Sequence, residues 1–466
     1  MTTTLRGAGR GLTRLPLLAL LFSVFAFPVY GQEVQRMTPD EAVELAIRNN
    51  LGLESTRITT ETKKRTSKYA WNSLVPTVDI GGTLGRLNSP STGMTIGIDP
   101  VTGTVVPYSY EVPQWVLSGS VSVGLNINFG LFEAMRMLRL DYESGLISYE
   151  KAKSQLERDV RKSYYQILLL QENLDLMHEN LATAQRRVEM ADANYNAGLA
   201  PELTLLQARV AMENLKPAMD ELENGIKTSI AAFAMNLGLP YGTEIDLIPA
   251  GEELDYVLLN TEELISKASS NKPDILELKQ NLTLLQSRRK ATFFQVYTPT
   301  LSLAWTADPA FQGDPLSDSW FMDDGWKQSS GMFRVTLAYR LSSLLPFTSE
   351  ALGVKELDDT IRSLNISLAQ AVRGTEVEIY SYVLQLEKSR GNIEALKLTE
   401  NLAKQSYDLT EQAFEAGLND YFEVQNAGLE QQKARLEVLK EKYNYIMGLI
   451  DLEYAMGVPF GTLSRS

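Results

Sequence analysis

The stretch Tyr195-Asn196-Ala197-Gly198-Leu199 leads through Ala208 to Gly238-Leu239-Pro240, and the chain then repeats the phrase. Phe414-Glu415-Ala416-Gly417-Leu418 leads through Ala427 to Gly457-Val458-Pro459, each landmark 219 positions after its counterpart and without a gap. Few residues between the landmarks are identical. What recurs is a geometry: a heptad segment, a glycine turn, then roughly 40 residues of helical pattern. Recurrence at a fixed offset marks a chain assembled from equivalent units. Two internal repeats, 32–240 and 241–460, therefore organise the fold.

Outward from the turns, the helical pattern is long. Ile167, Leu170, Leu174, Met177, Leu181, Ala184, Val188, Ala191 and Tyr195 step by three and four without a break. Leu429, Gln432, Leu436, Leu439, Tyr443, Ile446 and Ile450 do the same after the second turn. Sustained spacing of this kind signals coiled-coil packing. Helices are expected at 132–197, 201–237, 349–416 and 420–456. The first would reach about 100 Å at about 1.5 Å per residue, a rod rather than part of a globule. Pro217 falls inside 201–237 and is expected to bend it, since it removes a backbone donor. Its counterpart at the same offset is Leu436.

Each half opens with a further helix. Thr38-Pro39-Asp40-Glu41 reads as an N-cap, a first-turn proline and a capping-box acid, starting a helix over 38–73 that stops before Pro76. Its equivalent covers 261–297 and stops before Pro299. Period-two patterns follow, and they predict strands at 77–86, 115–129, 299–307 and 331–342. Val121, Val123, Leu125, Ile127 and Phe129 alternate with Ser120, Ser122, Gly124, Asn126 and Asn128. Leu301, Leu303 and Trp305, and Val335, Leu337, Tyr339 and Leu341, alternate in the same way. Loops rich in Gly, Pro, Ser, Thr and Asp are expected at 87–114 and 308–329.

The apolar strand faces suit either a soluble core or lipid. Two features favour lipid. The opposite faces are small and wet rather than charged, and Tyr108, Trp115, Trp305, Trp320 and Trp326 are placed by the pattern at strand ends and in loops, as interface aromatics are. Four strands cannot close a barrel, and an open sheet edge cannot face hydrocarbon. The simplest closing symmetry is a trimer, with twelve strands. The expected fold class is an α+β membrane protein: a trimeric 12-stranded β-barrel, four strands per chain, attached to long α-helical coiled-coil rods. The rival is a soluble periplasmic coiled-coil scaffold without channel activity, its strands forming a small capping sheet.

Composition narrows the classes. Arg6, Arg10 and Arg14 precede an apolar run from Leu15 to Phe27 and the segment Val29-Tyr30-Gly31, so 1–31 reads as a secretory signal and Gln32 as the mature start. That apolar run is shorter than the ~20 residues a spanning helix needs. Export is therefore expected. With no cysteine in the chain, no disulfide, thiolate metal site or acyl anchor on the mature start is expected. The formal charge of −14 becomes −17 once three signal arginines and no acids are removed. That balance opposes nucleic-acid binding, which needs basic surface.

Order and spacing together resemble the TolC-type outer-membrane efflux protein family, also called outer membrane factors. The carrying segments are Tyr195 to Arg209, Phe414 to Ala427, the opening Thr38-Pro39-Asp40-Glu41-Ala42-Val43-Glu44-Leu45-Ala46, and the closings Leu237-Gly238-Leu239-Pro240 and Met456-Gly457-Val458-Pro459. The resemblance covers essentially the whole chain after 31. It implies a homotrimer in the outer membrane, its β-barrel continued into the periplasm by an α-helical coiled-coil barrel, working as the passive exit duct of an efflux pump or type I secretion system. It also implies a periplasmic adaptor, the membrane fusion protein, and an inner-membrane transporter of RND, ABC or similar type. Gly198, Leu199, Gly417 and Leu418 map onto the family's adaptor-docking tips. The tip-closing positions hold Glu423 and Asn426 in the second half and Thr204 and Gln207 in the first. Only one of these is an acid, so three-fold symmetry gives a single ring of Glu423 as the lumen gate. Repulsion among three carboxylates opposes tight closure unless cations or protons relieve it.

No enzyme is expected. His178, the single histidine, lies within a heptad helix, and one imidazole makes neither a metal site nor a triad. No Gly-rich phosphate loop follows a strand, because Gly81-Gly82 lies inside one. Asp323-Asp324 sits in an acidic loop, Asp308–Asp324, expected outside the cell. No cofactor and no metal are expected, and the cargo is not legible.

Overall fold

A computed structural model describes residues 35–112, 114–249, 256–257, 259–312, 330–416 and 418–463. The signal segment, Trp320, Trp326, Asp323-Asp324 and Gly417 lie outside the described residues.

A short strand β1 (Gln35–Met37) opens the described chain, followed by helices α1 (Pro39–Asn49) and α2 (Leu51–Lys68). Thr38 caps α1 through a complete capping box with Glu41. The helix expected over 38–73 is therefore two helices and a 3₁₀ turn at 70–74. Asn50 divides them. Its Oδ1 accepts the Leu53 N–H (3.0 Å) and its Nδ2 donates to the Asn236 carbonyl (2.9 Å), so a side chain that prefers caps is also a tertiary anchor.

The chain then enters strand β2 (Thr77–Arg86), a hairpin of β3 (Ser91–Ile98) and β4 (Val105–Val112), and strand β5 (Trp115–Ile127). The segment 87–114, expected to be a loop, holds two paired strands. Met94, Ile96 and Ile98 alternate with Thr95 and Gly97, a pattern short enough to be hidden by its Gly and Thr content. Helix α3 (Phe129–Asn196) follows, a single rod of 68 residues. Helices α4 (Glu202–Glu213) and α5 (Leu215–Asn236) return from the turn. The helix expected over 201–237 breaks at Asn214, ahead of Pro217, whose nitrogen offers no hydrogen to the Glu213 carbonyl.

Strand β6 (Ile245–Leu247) pairs in parallel with β1, a contact absent from the sequence reading. Helices α6 (Thr261–Asn271) and α7 (Pro273–Tyr297) divide the expected 261–297 helix, because Pro273 disfavours helical backbone at Lys272. Then come β7 (Thr300–Asp308), β8 (Ala310–Gln312), β9 (Ser330–Ala338), α8 (Ser349–Glu415) and α9 (Tyr421–Met456). β9 ends earlier than the expected 342. Its partner β7 begins at Thr300, opposite Ala338, so Tyr339 and Leu341 have no strand to pair with, and a 3₁₀ turn covers 341–344.

The main sheet runs β2-β5-β7-β9, all antiparallel, with β8 added beside β5. Its registers sort the two faces. Val78, Val123, Trp305 and Phe333 lie in one row across the sheet; Leu125, Leu303 and Val335 form the next, and Ile127, Leu301 and Leu337 another. The other face carries Asp79, Ser122 and Thr306, then Asn126, Ser302 and Thr336, with Ser302 Oγ 2.6 Å from Asn126 Oδ1. No part of the described chain covers the apolar face: Val78, Ile80, Phe333, Val335 and Leu337 are all exposed. Trp305, expected at a strand end, stands mid-strand in the widest row. Trp115 does begin β5, with the Arg86 guanidinium over its ring.

Below the sheet the helices lie side by side in one layer. Near the strands the order is α2, α3, α7, α8; farther away it is α4 and α5, then α3, α9, α8. Between the two levels is the tightest core. Tyr164, Ile167, Leu168, Phe233, Leu237 and Tyr443 are fully buried beside the β1–β6 pair. The Tyr164 hydroxyl stands 2.9 Å from the Met37 carbonyl and 2.7 Å from that of Ile248, sharing one proton between them. Burial pushes this phenol up to about 12, so it remains a donor at neutral pH. Leu429, expected in the α9 seam, is exposed; Tyr421, Val424 and Gly428 hold the buried stripe there.

Gly238 and Gly457 end α5 and α9 at φ +71° and +64°, and each sits against the end of a short helix. A Cβ on Gly238 would overlap the Asn49 carbonyl oxygen, and one on Gly457 that of Asn271. Gly238→Ala is expected to cost about 1–2 kcal/mol in left-handed strain alone, with the overlap added. It should lower the urea midpoint of the detergent-solubilised protein measured by circular dichroism. Gly225→Ala, in open space on α5, should leave that midpoint unchanged or raise it.

Candidate functional tip of the helical layer

Both returns of the helical layer lie at the end farthest from the sheet, and their backbones are built alike. At the first, Gly198 takes φ +73°, which lets the Leu199 N–H reach back to the Asn194 carbonyl (2.8 Å). At the second, the Leu418 N–H reaches the Ala413 carbonyl, also at 2.8 Å. These six-to-one closures satisfy helix-end carbonyls and fix the direction of the next side chain. Leu199 and Leu418 are thereby turned out to solvent, each 79% exposed. Behind them Ala191, Leu205, Ala208 and Tyr421 form a small core, joined by Val188 and by Phe414, whose ring meets Tyr421 edge-on.

The helices leaving the turns differ. Asp420 caps α9 with its carboxylate on the Glu423 N–H (3.0 Å), whereas Pro201 offers α4 no side-chain cap. Glu423 and Asn426 stand one turn apart on α9, both exposed. Their first-half equivalents lie on α4, Thr204 half-buried and Gln207 exposed. Packing of Leu205 and Ala208 against Tyr421 brings the two helix starts together. Among the described residues no hydrogen bond or ion pair links any two of these four side chains. Asp420 and Glu423 both sit at the positive end of α9, where negative charge is favoured. His178 is exposed on α3, as its place in the heptad suggested.

A polar link two to three turns above the tip escaped the sequence reading. Arg187 of α3 donates from Nη2 to the Tyr407 hydroxyl of α8 (2.9 Å), and that hydroxyl donates to Glu411 Oε1 (2.5 Å). The guanidinium also lies over the Tyr407 ring, 5.4 Å from its centre. Burial, and next the bond to Glu411, raise this phenol above its ordinary value, so it stays protonated. Gly428 of α9 makes the approach possible, since a Cβ there would stand 3.3 Å from Arg187 Nη2. The link borders a groove of about 730 Å³ between α3, α8 and α9, which Arg186, Glu189 and the Arg435–Glu179 pair also line. No sequence signal marks it, because three distant helices supply its parts.

Comparison with known proteins places this architecture. The family model described as outer membrane efflux protein matches residues 42–238, the whole first course of helix, strands and long helices. The outer membrane protein TolC of Vibrio cholerae is 22% identical over 353 residues, covering 73% of this chain and 77% of its own. The toluene efflux pump outer membrane protein TtgF of Pseudomonas putida is 24% identical over 448 residues, covering 91% and 84%. The fold is that of the Campylobacter jejuni CmeC outer membrane channel, with a TM-score of 0.71 at 16% identity over 92% of this chain and 86% of that one.

Residues 42–238 resemble the outer membrane efflux protein family, and most of the chain shares the fold of solved outer membrane channels. These similarities favour an outer membrane efflux channel over the soluble scaffold. The Arg187–Tyr407–Glu411 link is a bond between two rods otherwise separated by α9. Tyr407→Phe leaves Arg187 and Glu411 without their shared hydroxyl. It is expected to cost about 1–3 kcal/mol, seen as faster proteolysis near the tip with the sheet end unaffected.

Proposed function

We propose that three copies of this chain close into one passive duct that crosses the outer membrane as a twelve-stranded barrel and continues through the periplasm as a barrel of long helices. The carrying observation is that the chain is open along the same two sides at every level. In the sheet, β2 and β9 are edge strands with unpaired backbone groups. In the helical layer, α8 is outermost on one side, and α2, α4 and α5 on the other. The outermost helices carry uncovered apolar stripes at coiled-coil spacing: Val377, Tyr380, Leu384, Leu398, Leu402 and Leu409 on α8, and Leu203, Leu206 and Val210 on α4. Edges that need partners and stripes that need cover fall on matching flanks, which suits a ring of identical copies. The apolar sheet face then meets lipid and the Asp79, Asn126 and Ser302 face lines water.

The two halves are read as internal repeats, since α1 and α6 have 11 residues each and the rods α3 and α8 have 68 and 67. Three chains then present six related tips. Leu199 and Leu418 are the apolar contacts for a periplasmic adaptor that joins the duct to an inner-membrane transporter, which supplies the energy. The duct serves an efflux pump or a type I secretion system. The relatives named for efflux favour the former.

Leu402→Glu places a charge on the α8 stripe. It is expected to convert the trimer to monomer when native mass is measured in detergent; a wild-type protein that is monomeric in that measurement overturns the reading. At the tip, one Glu423 per copy forms the narrowest charged ring of the lumen, flanked by Asn426, Thr204 and Gln207. Glu423→Ala is expected to weaken block by divalent cations in planar bilayers about ten-fold, as a three-carboxylate site is lost. An unchanged current trace overturns the gate role.

A further inference from the structure

We propose that the β3–β4 hairpins of the three copies fold inward over the outer end of the duct and close it by packing against one another. This rests on the trimeric reading above. The hairpin leaves the sheet at the end opposite the helices. The last rung of the wall is the Leu87 N–H on the Gln114 carbonyl (2.7 Å), and pairing resumes only at Ser91 with Val112. Between those rungs one side of the ladder is longer than the other by two residues, and Pro90 stands on the longer side. An unequal ladder of this kind bends and re-aims its strands, and proline cannot donate to it. The hairpin is thus a jointed flap and not a taller wall.

The flap is stiff within itself. Asp99 Oδ1 accepts the N–H groups of Val101 (2.8 Å) and Thr102 (3.2 Å), and Gly103 at φ +65° completes the turn. On one face Tyr110 and Tyr108 lie over Gly93 and Gly97, so closely that a Cβ would come within 2.5 and 2.8 Å of their rings. The other face is apolar and uncovered: Met94, Ile96 and Ile98 are 83%, 75% and 70% exposed, and Val101 at the turn is 90% exposed. A two-stranded hairpin is marginal in water without cover for such a face.

Charge and reach select the occupant. Residues 87–114 contain no Lys or Arg and only two acids, Asp99 and Glu111, the first of them engaged in its own turn. Phosphate-bearing lipid headgroups call for cations, and none is present. Glu111, opposite Thr92, puts the one acid of this apolar face at the base of the hairpin, so toward the tip the face is uncharged and meets its own copies without repulsion. The flap continues from β2, the edge strand that must pair with another chain, so a three-fold axis sets the three flaps around one mouth. Twelve strands spaced about 4.8 Å apart and tilted about 40° enclose a radius of about 12 Å, whereas strands of eight residues reach about 27 Å. Each flap therefore spans from the wall to the axis.

The chain has no cysteine, so single thiols report cleanly. Val101→Cys in the full chain, purified as a trimer of measured mass and treated with a mild thiol oxidant, is expected to give covalent dimers on denaturing gels. Asn88→Cys at the wall, about 20 Å from its copies at that radius, should give none. Oxidised Val101→Cys should show at least two-fold lower single-channel conductance, restored by reductant, and Met94→Asp with Ile96→Asp should show at least two-fold higher conductance. An intact trimer in which Val101→Cys forms no cross-link overturns this proposal alone. So does quenching of a Val101→Cys fluorophore by nitroxide lipids, which would put the flap on the membrane. A preparation that is not trimeric overturns the duct reading and this proposal with it.

Discussion

Backbone amides and carbonyls left unpaired along β2 and β9 set the terms for the rest of this molecule. In hydrocarbon each such group costs several kcal/mol, and the sheet's apolar rows demand hydrocarbon. Among the described residues one chain has four main strands and cannot satisfy both conditions alone. The layer of rods beneath has the same difficulty in weaker form, because its outermost helices expose apolar stripes that only another helix can cover. The proposed closure by identical copies answers both at once. It also explains why the chain is a flat, two-sided sector instead of a globule.

Within that sector, precision is concentrated where elements change direction. Gly198, Gly238 and Gly457 adopt left-handed backbone at the ends of long helices, and at the latter two the chain packs so tightly on Asn49 and Asn271 that no side chain fits. The β1–β6 pair and the Tyr164 hydroxyl tie the two halves where the helical neighbours of α3 change from α2 and α7 to α5 and α9. The rods between these points need little more than heptad spacing. Exposed features are distributed accordingly: an apolar sheet face at one end, the β3–β4 hairpin beyond it, and exposed leucines on fixed backbones at the other end.

Much of this was legible in the chain. Period two and period 3.5 patterns located the four wall strands and the rods, because each depends on neighbours near in sequence. The capping box at Thr38 and the turns at Gly198 and Gly238 were legible for the same reason. The break at Asn50 was misread as continuous helix, since a cap residue inside a helical pattern becomes a boundary only when a distant group, such as the Asn236 carbonyl, binds it. The breaks at Lys272 and Asn214 lie beside Pro273 and Pro217, of which the first was passed over and the second read as a mere bend. Alternation in the β3–β4 hairpin was diluted by glycines whose purpose, to admit tyrosine rings, appears only across the strand pair.

The sequence by itself determined the elements, their order, the two faces of the sheet and the apolar leucines after each turn, all matters of local spacing and side-chain chemistry. Only the tertiary structure decided which rows line up across the sheet, which edges stay open, that Arg187 meets Tyr407 and Glu411, and that β1 pairs with β6. Those contacts join residues up to 220 positions apart, and no local pattern encodes a partner at that distance. Their energies arise only when the rods are already side by side.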